Sequence, residues 1–199
     1  MKATADEKGE WSAQLSGLAM NAEGQSLKVT AGEESVTLED VLVGEVWMCS
    51  GQSNMGWSLS KSHTGEAAAA AADYPKLRLF TTPVTTAATP QRDVQGGKWI
   101  VCNPEDALMF SAVGFFFGRE LLQNLDGVPI GLVNTAWGGK PSEAFTSREK
   151  LETVPSAKAL LAEWDAKQAS HDPATAKANY DRAMAAWKEK TAAYREAKK

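Results

Sequence analysis

Cysteine and histidine are scarce in this sequence of 199 residues: there are two of each, Cys49 and Cys102, His63 and His171. Two thiols cannot build a disulfide framework or a four-ligand zinc site, and no metal site is expected. Charge of one sign is also lacking, because 21 basic residues face 25 acidic ones for a formal charge of −4. Nothing in that balance would attract a phosphate backbone or an anionic membrane, so nucleic acid is not an expected partner. No stretch approaches the ~20 consecutive apolar residues of a membrane helix, and Met1 to Lys8 lacks the apolar centre of a signal peptide. Glycine is missing from the whole segment after Gly139. What remains is 43% apolar, enough for one sizeable core in a mixed globular chain.

The sequence divides into three stretches. Residues 1–42 alternate apolar and polar side chains, as in Trp11-Ser12-Ala13-Gln14-Leu15, Leu27-Lys28-Val29 and Val36-Thr37-Leu38. Such alternation predicts short antiparallel strands, the edge of an accessory β-domain or strands docked on their neighbour. Residues 43–156 switch to apolar runs, glycine turns and helical patterns, the signature of β-α units around a parallel sheet. Its strands are predicted at Glu45 to Cys49, Leu77 to Phe80 and Pro129 to Asn134. Between the last two, Phe110, Val113, Phe117 and Leu121 recur at helical spacing ahead of Asp126-Gly127, where a helix would end. The run Ala67 to Ala72 is expected to be the helix or loop after the first strand, and Thr146 with Glu149 forms a capping box for a short helix.

Residues 157–199 are rich in Ala, Lys and Glu and predict a helical hairpin broken at His171-Asp172-Pro173, with Asp172 as cap and Pro173 as first helical residue. Tyr180, Met184, Trp187 and Tyr194 fall on roughly one face of the second helix and are expected to pack against other parts of the protein. The predicted class is therefore α/β, with a parallel sheet, N-terminal β-sandwich-like strands and a helical C-terminal segment.

Chemistry concentrates where Val46-Trp47-Met48-Cys49 gives way to Ser50-Gly51-Gln52-Ser53-Asn54-Met55. At the C-terminal end of a parallel strand a serine can stand clear of the sheet while backbone N–H groups face a developing oxyanion. Gly51 would permit a tight approach, and the side chains of Gln52 and Asn54 would tie the loop. On spacing alone the segment reads rather as a turn capping a helix. Cys49, on the strand itself, reads as a small hydrophobe.

The run from Gly44 to Met55 resembles the nucleophile block of the sialate O-acetylesterase family, serine carbohydrate esterases of the SGNH hydrolase superfamily. Phe110 to Leu121, followed by Val128-Pro129-Ile130-Gly131-Leu132-Val133-Asn134-Thr135-Ala136-Trp137-Gly138-Gly139, resembles the helix, strand and glycine turn that follow in that family. The resemblance covers roughly residues 9–199 and is most specific over 44–57 and 110–145. It implies an SGNH, flavodoxin-like three-layer fold, no metal or organic cofactor, and hydrolysis of an acetyl ester on a sugar. It also implies Ser53 as nucleophile and oxyanion donors from the backbone of Ser53 and of Gly138 or Gly139. Trp47, Trp57 and Trp137 flank the site either as sugar platforms or as core.

The sequence departs from the family at Gly56, Lys140, Ser142 and Phe145, positions that shape the loops and pocket. The family's base comes from an Asp-x-x-His block and a further oxyanion donor from an asparagine after Gln-Gly-Glu-Ser-Asn; neither motif occurs here. Ser60 and Gln168 stand three residues before the two histidines, so His63 and His171 read as loop residues. The sequence is thus expected to be the N-terminal portion of an esterase, weak or inactive alone; its residues do not give a compartment, and a periplasmic or secreted parent is what the resemblance implies. The alternative is a non-catalytic carbohydrate-binding or interaction protein on a truncated esterase scaffold. Three parallel strands where such a sheet has about five would leave an unpaired edge open to self-association.

Overall fold

The structure is a computed structural model that describes residues 1–87 and 89–198. It divides into two units, Met1–Phe145 and the part from Thr146 onward.

In the first unit, β1 (Asn21–Ala31) and β2 (Glu34–Val43) form an antiparallel hairpin closed at Gly32, with Leu27 opposite Leu38 and Val29 opposite Val36. The strand predicted at Trp11 to Leu15 does not form; those residues are irregular and Trp11 is half exposed. Alternation makes a strand only where a neighbour completes its hydrogen bonds, and the short turn after Ala31 supplies one to β1 and β2 alone.

The main sheet holds β3 (Glu45–Cys49), β4 (Tyr74–Thr81), β5 (Ile100–Cys102) and β6 (Ile130–Asn134) in the order β3-β6-β4-β5. The three predicted strands are all present and run parallel. The fourth, β5, pairs antiparallel with β4 and makes the sheet mixed. Three residues after a Pro- and Gly-containing loop carry no alternation to read, which is why β5 escaped the sequence.

Three helices accompany the sheet. α1 (Gly65–Ala70) lies in the predicted alanine run. α2 (Pro104–Met109) starts at Asn103, whose side-chain oxygen accepts from the Glu105 and Asp106 amides at 3.0 Å each. α3 (Ala112–Asn124) is capped by Ser111, which accepts from the Gly114 N–H at 3.0 Å, and leaves through left-handed Asp126 and Gly127. Its buried side differs from the predicted stripe. Phe110 is buried and Leu121 packs on the core, but Val113 and Phe117 are 49% and 39% exposed while Phe115 is fully buried. The small residues Gly114 and Gly118 let the helix approach the sheet, so the close face is set by lack of bulk. A Cβ on Gly118 would stand 2.7 Å from Leu132 Cδ1. Under α3 lie Leu77, Leu79, Ile130, Leu132, Cys49 and Cys102, all nearly inaccessible. Each of these aliphatic side chains contributes about 1.5–3 kcal/mol by leaving water.

The second unit begins with α4 (Arg148–Glu152). Its cap is Ser147, whose hydroxyl accepts from the Lys150 N–H at 3.3 Å, one residue past the predicted Thr146. α5 (Lys158–Ala169) and α6 (Pro173–Ala197) follow the predicted break, with Asp172 accepting from the Ala174 and Thr175 amides. Arg148 joins α4 to α5 by a two-pronged pair with Asp165 at 2.7 and 2.9 Å. Tyr180, Trp187 and Tyr194, expected to be packed, are 59–61% exposed. No residue of α5 or α6 is fully buried, so neither helix offers the other an apolar seam.

Candidate active site

Parallel pairing of β3 with β6 builds the site. The register sets Met48 beside Val133 and Cys49 beside Asn134. Beyond the strands the two chains stay together, because the Thr135 N–H donates to Cys49 O at 3.0 Å and the Trp137 N–H to Gly51 O at 2.9 Å. Past these bonds Ser53 comes to lie against Gly138. A Cβ built on Gly138 would lie 3.5 Å from Ser53 Oγ and 3.8 Å from its Cα, so a bare backbone faces the hydroxyl there. A Cβ on Gly139 (φ +73°) would meet nothing within 4 Å. Of the two predicted glycines, Gly138 is the one whose side-chain direction points at Ser53.

Ser53 itself is exposed, in a turn directly after β3. Among the described residues no hydrogen bond engages its hydroxyl or N–H, nor the N–H of Gly138 or Gly139. These donors are therefore free for a ligand. Gly51 adopts φ +143°, a conformation that side chains rarely take, and this lets the strand turn sharply into the loop. The predicted ties from Gln52 and Asn54 run through the backbone instead of the side chains. Gln52 O accepts from the Gly56 N–H at 2.9 Å, and Asn54 O from the Trp57 N–H at 3.3 Å, while no hydrogen bond reaches either side-chain amide among the described residues. A closed turn needs its carbonyls inward, which leaves both amides pointing to solvent.

A support behind the loop was not foreseen. Met55 packs on the core, and its Sδ accepts from the buried Ser111 hydroxyl at 3.6 Å. The Ala112 N–H donates to Trp57 O at 2.8 Å, and the Leu59 N–H to Phe110 O at 2.9 Å, fastening the loop to the start of α3. The only legible signal was the serine preceding an apolar helix, a cap pattern that says nothing of its second contact.

Cys49 turns the other way. It is 4% exposed, burial raises its thiol pKa, and it lies 3.1 Å from where a Gly114 Cβ would be. It is packing, as predicted, and not a thiolate. Cys102 is likewise buried, with its thiol pushed up to about 12 by desolvation and by Asp106 and Asp73. Trp47 stacks edge-on against Phe117 at 5.2 Å, whereas Trp57 is half exposed beside the loop and Trp137 partly so. His63 sits exposed in the turn before α1 and His171 exposed between α5 and α6; among the described residues neither side chain has a hydrogen-bond partner. No cluster of three or more His, Cys, Asp or Glu side chains able to hold a metal ion occurs among the described residues.

No protein-family model matches the chain. Curated relatives do. The chain is 35% identical over 126 residues to the sialate O-acetylesterase of Rattus norvegicus, covering 59% of this chain and 23% of that protein. It is 34% identical over 127 residues to the sialate O-acetylesterase of Homo sapiens, covering 59% and 24%. Among solved structures, a carbohydrate acetylesterase from Xanthomonas citri superposes with a TM-score of 0.68 at 38% identity, covering 75% of this chain and 34% of that one. The chain thus spans about a quarter of the curated relatives' length. The shared part resembles the sialate O-acetylesterases in sequence, as the block around Ser53 implied, and a carbohydrate acetylesterase in fold.

Proposed function

We propose that this chain is the N-terminal part of a serine esterase that removes O-acetyl groups from sialic acid or a related carbohydrate. One observation carries the reading: an exposed Ser53 hydroxyl with bare Gly138 backbone beside it, at the end of a parallel strand. In that reaction Ser53 Oγ attacks the acetyl carbonyl and gives its proton to a base. The carbonyl oxygen gains negative charge, stabilised by the free N–H groups of Ser53 and of Gly138 or Gly139. Each such donor contributes roughly 3–4 kcal/mol to the transition state. Collapse expels the sugar hydroxyl, which takes the proton back from the base, and leaves an acetyl group on Ser53. Water activated by the same base then releases acetate. The base and a further oxyanion donor are assigned to residues outside this chain, since neither histidine has a carboxylate three residues before it. The SGNH, flavodoxin-like three-layer assignment, the helical hairpin insertion at residues 157–199 and export of the parent belong to the same proposal.

Self-association is part of it too. Among the described residues β3 pairs only with β6, and on this edge strand Val46 and Met48 are 66% and 72% exposed.

Fluorophosphonate labelling of the parent protein, mapped by mass spectrometry, tests the nucleophile. Labelling is expected at Ser53 and is abolished by Ser53→Ala; a label that persists in the variant rejects the assignment. The second reading, a non-catalytic binding protein, is favoured for this chain by the unpartnered His63. Acetyl-ester turnover by the 199 residues alone would eliminate it.

A further inference from the structure

Helix α6 runs for 25 residues, about 37 Å at 1.5 Å per residue, and among the described residues no other element packs along it. Its exposed aromatics are not scattered. Tyr180, Met184, Trp187, Thr191 and Tyr194 follow one another at steps of four, three, four and three, the spacing of a coiled-coil seam. The three rings stand exposed, and Met184 and Thr191 between them are half-buried. A row of large rings left in water marks a contact surface. The charges beside the row say what fits it. Asp181, Lys188 and Arg195 line one flank, and Ala176, Ala183, Lys190 and Ala197 line the other. Lys177 Nζ donates to Asp181 Oδ2 at 2.6 Å, so among the described residues Oδ1 has no donor, and Lys188 has no carboxylate partner there.

We infer that α6 is a dimerisation helix, whose aromatic seam lies antiparallel against that of a second copy of this chain. A parallel pair is unfavourable, because it sets Lys190 of one copy beside Arg195 of the other and Lys177 against Lys177. Reversing one helix brings like flanks together. With Met184 level with Trp187 of the second copy, Tyr180 is level with Thr191 and Asp181 comes beside Lys188. The two-fold axis repeats each contact, so the attraction counts twice. On the other flank Ala183 leaves room for the stem of Lys190. Lys177 falls opposite Tyr194, whose ring already holds Lys198 Nζ at 4.8 Å, and this end of the seam is its weakest part. No like charges stand side by side on the two flanks. A uniformly acidic partner would repel Asp181 while attracting Lys188, whereas a second copy answers both signs. The contact is separate from the edge of β3, and it does not depend on Ser53 being the nucleophile.

Carbodiimide joins a carboxylate to an amine without a spacer, so only groups in contact react, and this makes the register testable. The full chain of 199 residues is mixed in equal parts with a heavy-nitrogen-labelled copy, cross-linked and digested. Mass spectrometry is expected to find Asp181 joined to Lys188 in peptide pairs that carry one label of each kind. Charge reversal then tests the energetics on α6 alone. In sedimentation equilibrium, Asp181→Lys and Lys188→Asp should each weaken association about tenfold, and the double reversal should restore it. A monomeric unaltered chain, the absence of mixed-label links, or a double reversal no better than either single one overturns the inference. A monomer that instead sediments with phosphatidylglycerol vesicles overturns it too and gives the aromatic row to a membrane surface. If the reversed variants lose helix by circular dichroism, the mixed-label link in the unaltered chain still decides.

Discussion

The two faces of the sheet are treated very differently. Toward α3, Leu77, Leu79, Ile130, Leu132 and Cys49 are 0–4% exposed, whereas on the opposite face Val46 and Met48 stand 66% and 72% open. That second face is closed only in places. Trp99 lies over Gly131, and the Phe80 ring reaches the backbone of Gly97. Between the hairpin and the sheet runs a groove of ≈ 490 Å³, lined by Leu38, Val41, Leu42, Val46 and Trp99, with Arg78 paired to Asp40 at 2.6 Å on its wall. Strands whose apolar residues run without alternation are those of a sheet covered on both sides. Here the covered face holds the fold together, and the open one is free for contacts outside the described residues.

Truncating one residue on each face is the sharpest way to break this comparison. Leu132→Ala is expected to lower the unfolding free energy by about 3 kcal/mol, measured by urea denaturation, because both transfer and cavity terms apply at a fully buried site. Met48→Ala should stay within about 0.5 kcal/mol. Similar losses at the two positions would mean that the faces are not different in energy.

The site belongs to neither face but to the rim where β3 and β6 end. Gly138→Ala adds a methyl group at ordinary contact distance, 3.5 Å from Ser53 Oγ, so the melting temperature should hardly move. In the proposed reaction the same methyl would fill space that an acyl carbon needs. Fluorophosphonate labelling of Ser53 in the parent should slow by on the order of tenfold. An unchanged rate would remove Gly138 from the site.

Replacing the cap of α2 probes the covered side more gently. Asn103→Ala should cost about 1 kcal/mol, since the Glu105 and Asp106 amides lose their acceptor. On the open side, Met48→Lys should leave stability unchanged and shift sedimentation toward monomer; unchanged association would place the contact elsewhere.

The smallest effect concerns the ion pair at the groove. The hydrogen bond from Arg78 holds the Asp40 carboxyl below its ordinary pKa; desolvation opposes it, and the charge of Arg78 adds the smallest share. A lowered folded pKa favours the native state at pH values above the unfolded one, about 3.9, and that benefit disappears as pH falls through the folded value. Asp40→Asn should therefore flatten the acid limb of the stability curve below about pH 4 and leave it unaltered at pH 7 apart from a constant offset. Solvent screening of this exposed carboxylate makes it a minor contribution.

Much of this was legible in the residues. The three parallel strands, the break at Asp172-Pro173 and the serine at a strand's end all follow from local pattern and chemistry. Local pattern failed where the deciding neighbour is distant. Trp11 to Leu15 alternates like β1 but has no partner. Val113 and Phe117 carry the bulk of a core stripe, yet Gly114 and Gly118 turned their own side of α3 to the sheet. In the site, Gln52 and Asn54 looked like side-chain anchors, and their carbonyls anchor the loop instead.

The amino-acid order alone determined the three parallel strands, the helix breaks and the serine at a strand's end, because caps, turns and strand ends are set by contacts a few residues apart. Only the tertiary structure decided that Gly138, far along the chain, faces Ser53. Parallel register is a property of two strands together, and it is fixed when β3 and β6 bury Cys49, Ile130 and Leu132 beneath the same helix.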